Sequence, residues 1–338
     1  MRIERFDGKG NTALLRACFE MTRDAWDVDQ PNTPPWPFKS FAGKWTDGFD
    51  TTPQQAWIGY HDDGEPVAAY LLQLPDKENL DRAKCTLIVG LANRRAGVGT
   101  TLLSHCAGQA RLAGRGWLDS YAREGSPGAA FAATTGATAG IAEVTRVLSI
   151  DAGMPATLAR LRADAESHAA GYSLLSWAGP TPDEYLEQVV RMNNAMADAP
   201  HDAGVEPHVW DADRIREGER LLAEHGLVRH SVVARHNESG ELAAITEMGI
   251  DVGTPDWGLQ FETVVLPQHR GRRLGLLVKV AMLEWLIPQA PDIRRVFTGN
   301  AGSNQYMIAI NEQLGFKVAD TYRSWQLNLA GQGAIVQS

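Results

Sequence analysis

Asn93-Arg94-Arg95-Ala96-Gly97-Val98-Gly99 and His269-Arg270-Gly271-Arg272-Arg273-Leu274-Gly275 are two versions of one loop. Gly99 and Gly275 stand 176 positions apart. Upstream of each lies a strand-turn-strand signal: Trp57-Ile58-Gly59-Tyr60-His61-Asp62-Asp63-Gly64-Glu65-Pro66-Val67-Ala68-Ala69, and Val232-Val233-Ala234-Arg235-His236-Asn237-Glu238-Ser239-Gly240-Glu241-Leu242-Ala243-Ala244. Turn residues between apolar runs are the mark of a hairpin. Gly64 and Gly240 are again 176 positions apart, while Gly136 and Gly315, further on, differ by 179. Three feature pairs at nearly one offset make the chain a tandem duplication of one α+β unit.

Working outward, each unit reads as a strand (Arg2–Phe6; Tyr172–Trp177) and a helix (Thr12–Trp26; Pro182–Ala197), with Pro182 after Thr181 as a start signal. A polar or Pro-rich loop, the hairpin and an apolar strand follow. The Arg/Gly loop then opens a helix (Val98–Leu112; Leu274–Leu286). A further strand (Trp117–Ala122; Arg295–Thr298) and a short helix (Ala129–Thr135; Gln305–Leu314) close the unit. The expected domains are 1–150 and 151–338. Leu158, Leu161 and Ala165 carry helical spacing in a connecting helix at about 155–169, and the tail Gly331–Ser338 reads as frayed.

The 338 residues suffice for two cores, and a hydrophobic share of 44% with 22% charged is ordinary for a globular protein. A net charge of −9 disfavours a nucleic-acid partner, which needs a basic footprint. No apolar run reaches the roughly 18 residues of a membrane span, and Met1–Gly10 lacks the apolar segment of a secretory signal. Cys18, Cys85 and Cys106 are too few and scattered for a disulfide framework or a zinc site, so no metal is expected and a reducing cytoplasm is the simplest compartment.

A strand-loop-helix of the Arg94–Gly99 kind aims several backbone N–H groups at one spot, where the helix N-terminus adds partial positive charge. Glycine lets a ligand approach the backbone, and Arg94 and Arg95 can add charge. A dinucleotide loop needs a third glycine where Leu102 stands; a nucleotide-triphosphate loop needs Gly-Lys-Ser/Thr, which does not occur. Neither His-Glu-x-x-His nor Gly-x-Ser-x-Gly is present. Alone, the loop is equally compatible with a plain strand-to-helix turn.

Arg-x-x-Gly-x-Gly, followed some 40 residues later by a Gly-Phe ending, resembles the GNAT superfamily of acyl-CoA-dependent N-acyltransferases. The resemblance is most specific in Val264-Val265-Leu266-Pro267-Gln268-His269-Arg270-Gly271, then Asn300-Ala301-Gly302-Ser303-Asn304, then Asn311-Glu312-Gln313-Leu314-Gly315-Phe316. Both copies align, as in the tandem GNAT subfamily of actinobacteria. The resemblance implies two domains, each a mixed, mostly antiparallel central sheet flanked by helices, with acetyl-CoA or another acyl-CoA as cofactor. It also implies a small-molecule amine as acceptor, secondary or antibiotic metabolism as setting, and a monomer or weak homodimer. Pantetheine would pair with Leu87, Ile88 and Val89. The pyrophosphate would lie on Arg94, Arg95, Ala96, Gly97, Val98, Gly99 and Thr100. In the second copy these roles fall on Val264, Val265 and Leu266 and on Arg270, Gly271, Arg272, Arg273, Leu274 and Gly275, with Asn304 near pantetheine.

Two departures matter. Gly97 corresponds to Arg273, whose side chain either crowds the cradle or adds charge for a phosphate. The family's Tyr, which protonates the departing thiolate, is Ala132 in the first copy and Asn311 in the second. A free alkylamine has a pKa of roughly 10, so attack needs an acceptor for its proton. Glu262 stands where the first copy has Thr86, and Glu247 lies on the preceding strand; each reads either as that base or as a solvent-facing strand residue. The expected division of labour gives CoA binding to the first domain and catalysis to the second. The competing reading is an acyl-CoA-binding protein with little activity, and a protein-lysine acetyltransferase ranks third. Trp26–Phe38 reads as a lid or, more simply, a rigid surface loop; Tyr306 as acceptor wall or core; His269 as a phosphate contact or an exposed turn residue. Asp198, Asp202 and Asp256 suit a cationic acceptor or plain solvation.

Overall fold

A computed structural model describes residues 1–6, 10–48, 51–198 and 200–330. It divides into two compact units. The first comprises Met1–Ala142, Asp202–Glu206 and the described part of Asp320–Ser338; the second comprises Glu143–His201 and Pro207–Ala319. Asp198 side-chain geometry and the tail from Gly331 lie outside the described residues.

The first unit is built on β1 (Arg2–Phe6), α1 (Thr12–Asp29), α2 (Phe38–Thr46), β2 (Gln54–Tyr60), β3 (Pro66–Gln73), β4 (Arg82–Val89), α3 (Val98–Leu112), β5 (Trp117–Arg123) and α4 (Pro127–Thr134). β1 to β4 form an antiparallel meander, and β5 joins β4 in parallel. Asn11 caps α1 by accepting from the Leu14 amide at 3.0 Å, and Ser126 caps α4 by accepting from Ala129 at 3.2 Å. Such caps contribute about 1 kcal/mol each. Leu102, Cys106, Ala107 and Ala110, three and four residues apart on α3, bury against Tyr70, Leu72 and Leu118 on one sheet face. On the other face, Leu15, Cys18, Phe41 and Trp45 of α1 and α2 pack against Ile58 and Leu71. α2 occupies part of the segment that the sequence presents as a Pro-rich loop; it starts after Pro37 with no side-chain cap to announce it.

The second unit repeats the plan with β6 (Thr138–Ser149) from Glu143 onward, α5 (Met154–Glu166), β7 (Tyr172–Ala178), α6 (Asp183–Asn194), α7 (Ala212–His225), β8 (Leu227–His236), β9 (Leu242–Asp251), β10 (Trp257–Val265), α8 (Leu274–Gln289), β11 (Arg295–Ala301) and α9 (Gln305–Leu314). The last strand is β12 (Lys317–Asn328). The sequence halves trade their final strands. β12 pairs with β5 and completes the first unit's sheet, while β6 pairs with β11 and completes the second's. The connecting helix α5 buries Met154, Leu158, Leu161 and Ala165 against α8, at roughly 1.5–3 kcal/mol per large aliphatic chain. α8 is accordingly apolar almost all round.

Candidate functional site

In each unit a parallel strand pair opens into a V. β4 pairs with β5 only from Arg82 to Lys84, yet runs on to Val89. β10 pairs with β11 only from Trp257 to Leu259, yet runs on to Val265. Beyond the split, one edge of Leu87, Ile88 and Val89, or of the corresponding β10 residues, is free of a neighbouring strand. At the base of the first V, Arg82 holds Asp119 in a buried two-pronged pair at 2.7 and 2.6 Å. Removing one partner of such a pair costs about 3–5 kcal/mol.

The two loops at the open ends share one backbone. Left-handed residues fall at Arg95 (φ +62) and Gly97 (φ +78) in the first, and at Gly271 (φ +80) and Arg273 (φ +53) in the second. Each loop spends glycine on one of these positions and arginine on the other; a non-glycine residue there costs about 1–2 kcal/mol. Neither Gly97 nor Arg273 offers a side-chain cap to its helix, so the first amides of α3 and α8 lack helical partners. A Cβ on Gly97 would meet nothing within 4 Å, and one on Gly99 would touch Phe131 at 3.6 Å.

The surroundings differ. In the first unit the loop borders a cavity of about 1380 Å³ that is lined by Leu87, Val89, Gly97, Gly99 and Thr100 from the α3 side and by Trp26, Asp29, Trp36, Lys84 and Thr86 from the α1–α2 side. Arg94 serves as a brace. It donates to both carboxylate oxygens of Asp29 at 2.9 and 2.7 Å and to the Val89 carbonyl at 3.2 Å. Arg95 is exposed. His105, which sequence reading passed over, also lines the cavity. Its Nδ1 lies 2.7 Å from the Tyr70 hydroxyl, and burial lowers its pKa, which favours the neutral ring. The Trp26–Phe38 segment contributes cavity wall through Trp26 and Trp36.

In the second unit Arg273 is ion-paired with Asp164 of α5, and Leu274, Gly275 and Leu276 are buried. Arg270 donates to the Val265 carbonyl at 3.2 Å, as Arg94 does to Val89. His269 is buried and bridges the Tyr172 hydroxyl (2.8 Å) and Glu241 (3.1 Å), a structural role in place of an exposed turn. β10 carries a bulge between Gln260 and Thr263, opposite Glu247 on β9. Glu262 lies in the bulge, and the Gln260 side chain steadies the bend by donating to the Glu247 carbonyl at 2.6 Å. Glu262 keeps solvent access at its surface but stands amid enough protein to lose hydration. That loss raises its pKa, the charge of Glu247 raises it further, and Arg229 opposes. Glu247 is buried, accepts from Ser231 at 3.2 Å and lies 3.5 Å from Arg229, which also pairs with Glu219.

Strand register puts Glu143 of β6 on the same α6–α7 face, its carboxylate lying over Gly299. Burial raises its pKa too. The exchanged strand that delivers it left no signal in the sequence beyond period-two alternation. Asn304 caps α9 by accepting from the Met307 amide at 3.2 Å. Asn311 is 0% exposed, and its Nδ2 donates to Asn300 at 2.7 Å, which makes it a tie between α9 and β11. Tyr306 is 88% exposed and is therefore not core. Asp202 accepts from the Ile141 amide at 2.7 Å within the first unit, and Asp256 pairs with Arg295 at 2.8 Å; both serve as structural contacts. Among the described residues no helix is long and apolar enough to cross a membrane.

No protein-family model and no curated protein matches the sequence. Solved structures do. A tandem GNAT protein from the clavulanic acid biosynthesis pathway superposes with a TM-score of 0.82 at 27% identity, covering 98% of this chain and 99% of its own. A GCN5-related N-acetyltransferase from Sphaerobacter thermophilus gives 0.66 at 15% identity over 97% and 95%. A glucosamine N-acetyltransferase region of a fungal multi-domain β-N-acetylglucosaminidase gives 0.62 at 14% identity, covering 96% of this chain and 38% of that one. The last two likenesses concern the fold alone.

Proposed function

With the tandem GNAT fold as premise, we propose that the chain is an acyl-CoA-dependent N-acyltransferase of a small-molecule amine. The observation that carries the reading is the first unit's V. It sets a free strand edge, Leu87 to Val89, beside the uncapped α3 N-terminus, and both open into one large cavity. The pyrophosphate of acetyl-CoA lies against the amides of Val98, Gly99 and Thr100, with Arg95 as the available cation. Pantetheine runs along β4, and the counterpart path in the second unit follows Val264 to Leu266. Bound acyl-CoA supplies the thioester that an amine attacks directly.

Glu262 is the proposed base. Its raised carboxyl, in the β10 bulge, accepts the amine proton directly or through water, with Glu247 as electrostatic partner. Side-by-side binding of both reactants supplies most of the rate, up to about 7–11 kcal/mol for good orientation. The clavulanic acid neighbour supports a setting in antibiotic or secondary metabolism, and a cytoplasmic location accompanies this reading. Steady thioester consumption with an amine panel is the test. Consumption that vanishes in Glu262→Gln is expected; unchanged turnover in that variant removes Glu262 from the role.

A second reading, acyl-CoA binding with little catalysis, is favoured by the Arg273–Asp164 pair across the second loop and by Asn311 and Ala132 in place of a proton donor. CoA binding without turnover on any amine selects it.

A further inference from the structure

The first unit's cavity is far from uniform. Its α3 side belongs to the CoA path proposed above. Its α1–α2 side has a different chemistry, set by three observations.

The two carboxylates on that wall are already neutralised. Asp29 is gripped by both terminal nitrogens of Arg94, and Asp119 by Arg82, each in a two-pronged pair. Lys84 remains. It is half-buried on β4, lines the cavity and makes no ion pair with any described residue. Its cross-strand partner is Gln73 on β3, which lines the same cavity. Residues directly opposite on antiparallel strands have Cβ atoms about 4.5–5.5 Å apart, so the two side chains leave the sheet side by side; on the other flank the register partner of Lys84 is Asp119, already held by Arg82. Finally, Trp26 and Trp36 form an aromatic wall, with ring centroids 5.6 Å apart at 46°.

We propose that this half of the cavity binds a second ligand beside CoA: a planar aromatic or conjugated carboxylate, its ring against Trp26 and Trp36 and its carboxylate on Lys84 and Gln73. An unpaired, partly desolvated ammonium favours an anion over a neutral isostere. The same charge repels an ammonium ligand. A flat apolar body gains area against tryptophan without the rotamer entropy of an aliphatic chain. The second unit carries the opposite charge on the corresponding face: Glu262, at the place of Thr86, lies on β10 with Glu247 near it, and Glu143 stands on that face of β6.

The placement of CoA rests on the reading under Proposed function; the ligand class rests on Lys84, Gln73 and the tryptophans. Isothermal titration of the full chain separates the two. The probes are 4-hydroxyphenylacetate, its neutral amide and tyramine, each with and without saturating CoA. The acid is expected to bind at least tenfold more tightly than the amide, tyramine to bind more weakly still, and CoA to leave the acid's affinity in place. Lys84→Gln is expected to weaken the acid tenfold or more and to leave CoA affinity unchanged, which also reports that the variant is folded. Equal binding of acid and amide, an acid affinity untouched by Lys84→Gln, displacement of the acid by CoA, or CoA binding with no probe binding overturns the proposal. Acid binding that depends on Lys84 in a protein that fails to bind CoA sustains the pocket and refutes the CoA reading; loss of both refutes both.

Discussion

The loops at Arg94–Gly99 and Arg270–Gly275 follow the same backbone path with glycine and arginine in opposite places. In the first unit the glycine stands at the helix start, and the loop opens on a cavity. In the second unit arginine stands there and is tied to α5 through Asp164. The sheet faces beneath diverge as well, to tryptophans with Lys84 in one unit and to glutamates around a bulge in the other. Duplication has preserved the backbone geometry that gathers amides, while side chains one or two positions away decide which chemistry each copy can carry.

Four substitutions exchange or remove what distinguishes the two units. Lys279 of α8 corresponds, at the 176-residue offset, to Leu103 of α3. Burial, with no ion pair to any described residue, pulls its pKa from 10.5 down to about 7. Between about pH 7 and 10.5 the unfolded chain holds a proton that the folded one lacks, so stability rises with pH across that window and is lowest at and below pH 7. Lys279→Leu makes the second unit like the first. It is expected to raise unfolding free energy by up to about 5 kcal/mol at pH 7, by the 1.36 kcal/mol per pKa unit of linkage, with the gain shrinking toward pH 10.5. Denaturant unfolding at several pH values measures it.

Glu262→Gln removes the carboxylate proposed as proton acceptor. Turnover on an accepted amine is expected to fall by about 10²–10⁴-fold. Because the Glu262 carboxyl is held above its ordinary value of 4.5, the acid limb of the wild-type rate profile is expected above that pH and to disappear in the variant. Gly97→Val places a β-branched residue at φ +78. A loss of about 1–2 kcal/mol in unfolding stability is expected, with tenfold or weaker CoA binding by titration. Arg273→Gly relieves the same strain in the second unit and frees Asp164. Its net effect on melting is expected to be small, under about 1 kcal/mol, since glycine also gains freedom in the unfolded chain. CoA binding to the second unit is expected to strengthen.

The repeat, the loops and the helices Val98–Leu112 and Gln305–Leu314 were legible because glycine punctuation and apolar periodicity are local properties. α2 and α7 were not. The segment after α1 is rich in proline and aromatics, and α7 has only Asp211 at its start, capping Arg214 at 2.7 Å, within a polar stretch. The exchange of β6 and β12 is invisible for a deeper reason: alternation marks a strand but does not name its partner. Glu143 therefore could not be set on the face of Glu262 until register was known. His269 misled because its neighbours are charged, while its own partners, Tyr172 and Glu241, come from distant strands and turns. The pairing of Arg94 with Asp29 was equally non-local, since the two stand 65 positions apart in sequence.

The division of labour between the two loops is tested most directly by mass spectrometry of the intact protein under non-denaturing conditions, with acetyl-CoA titrated into wild type, Gly97→Val and Arg273→Gly. One tightly held CoA is expected in wild type, lost in Gly97→Val and kept in Arg273→Gly, with a second, weaker CoA that tightens only in the latter. A tight CoA that survives Gly97→Val, or no CoA on any of the three, contradicts that division of labour.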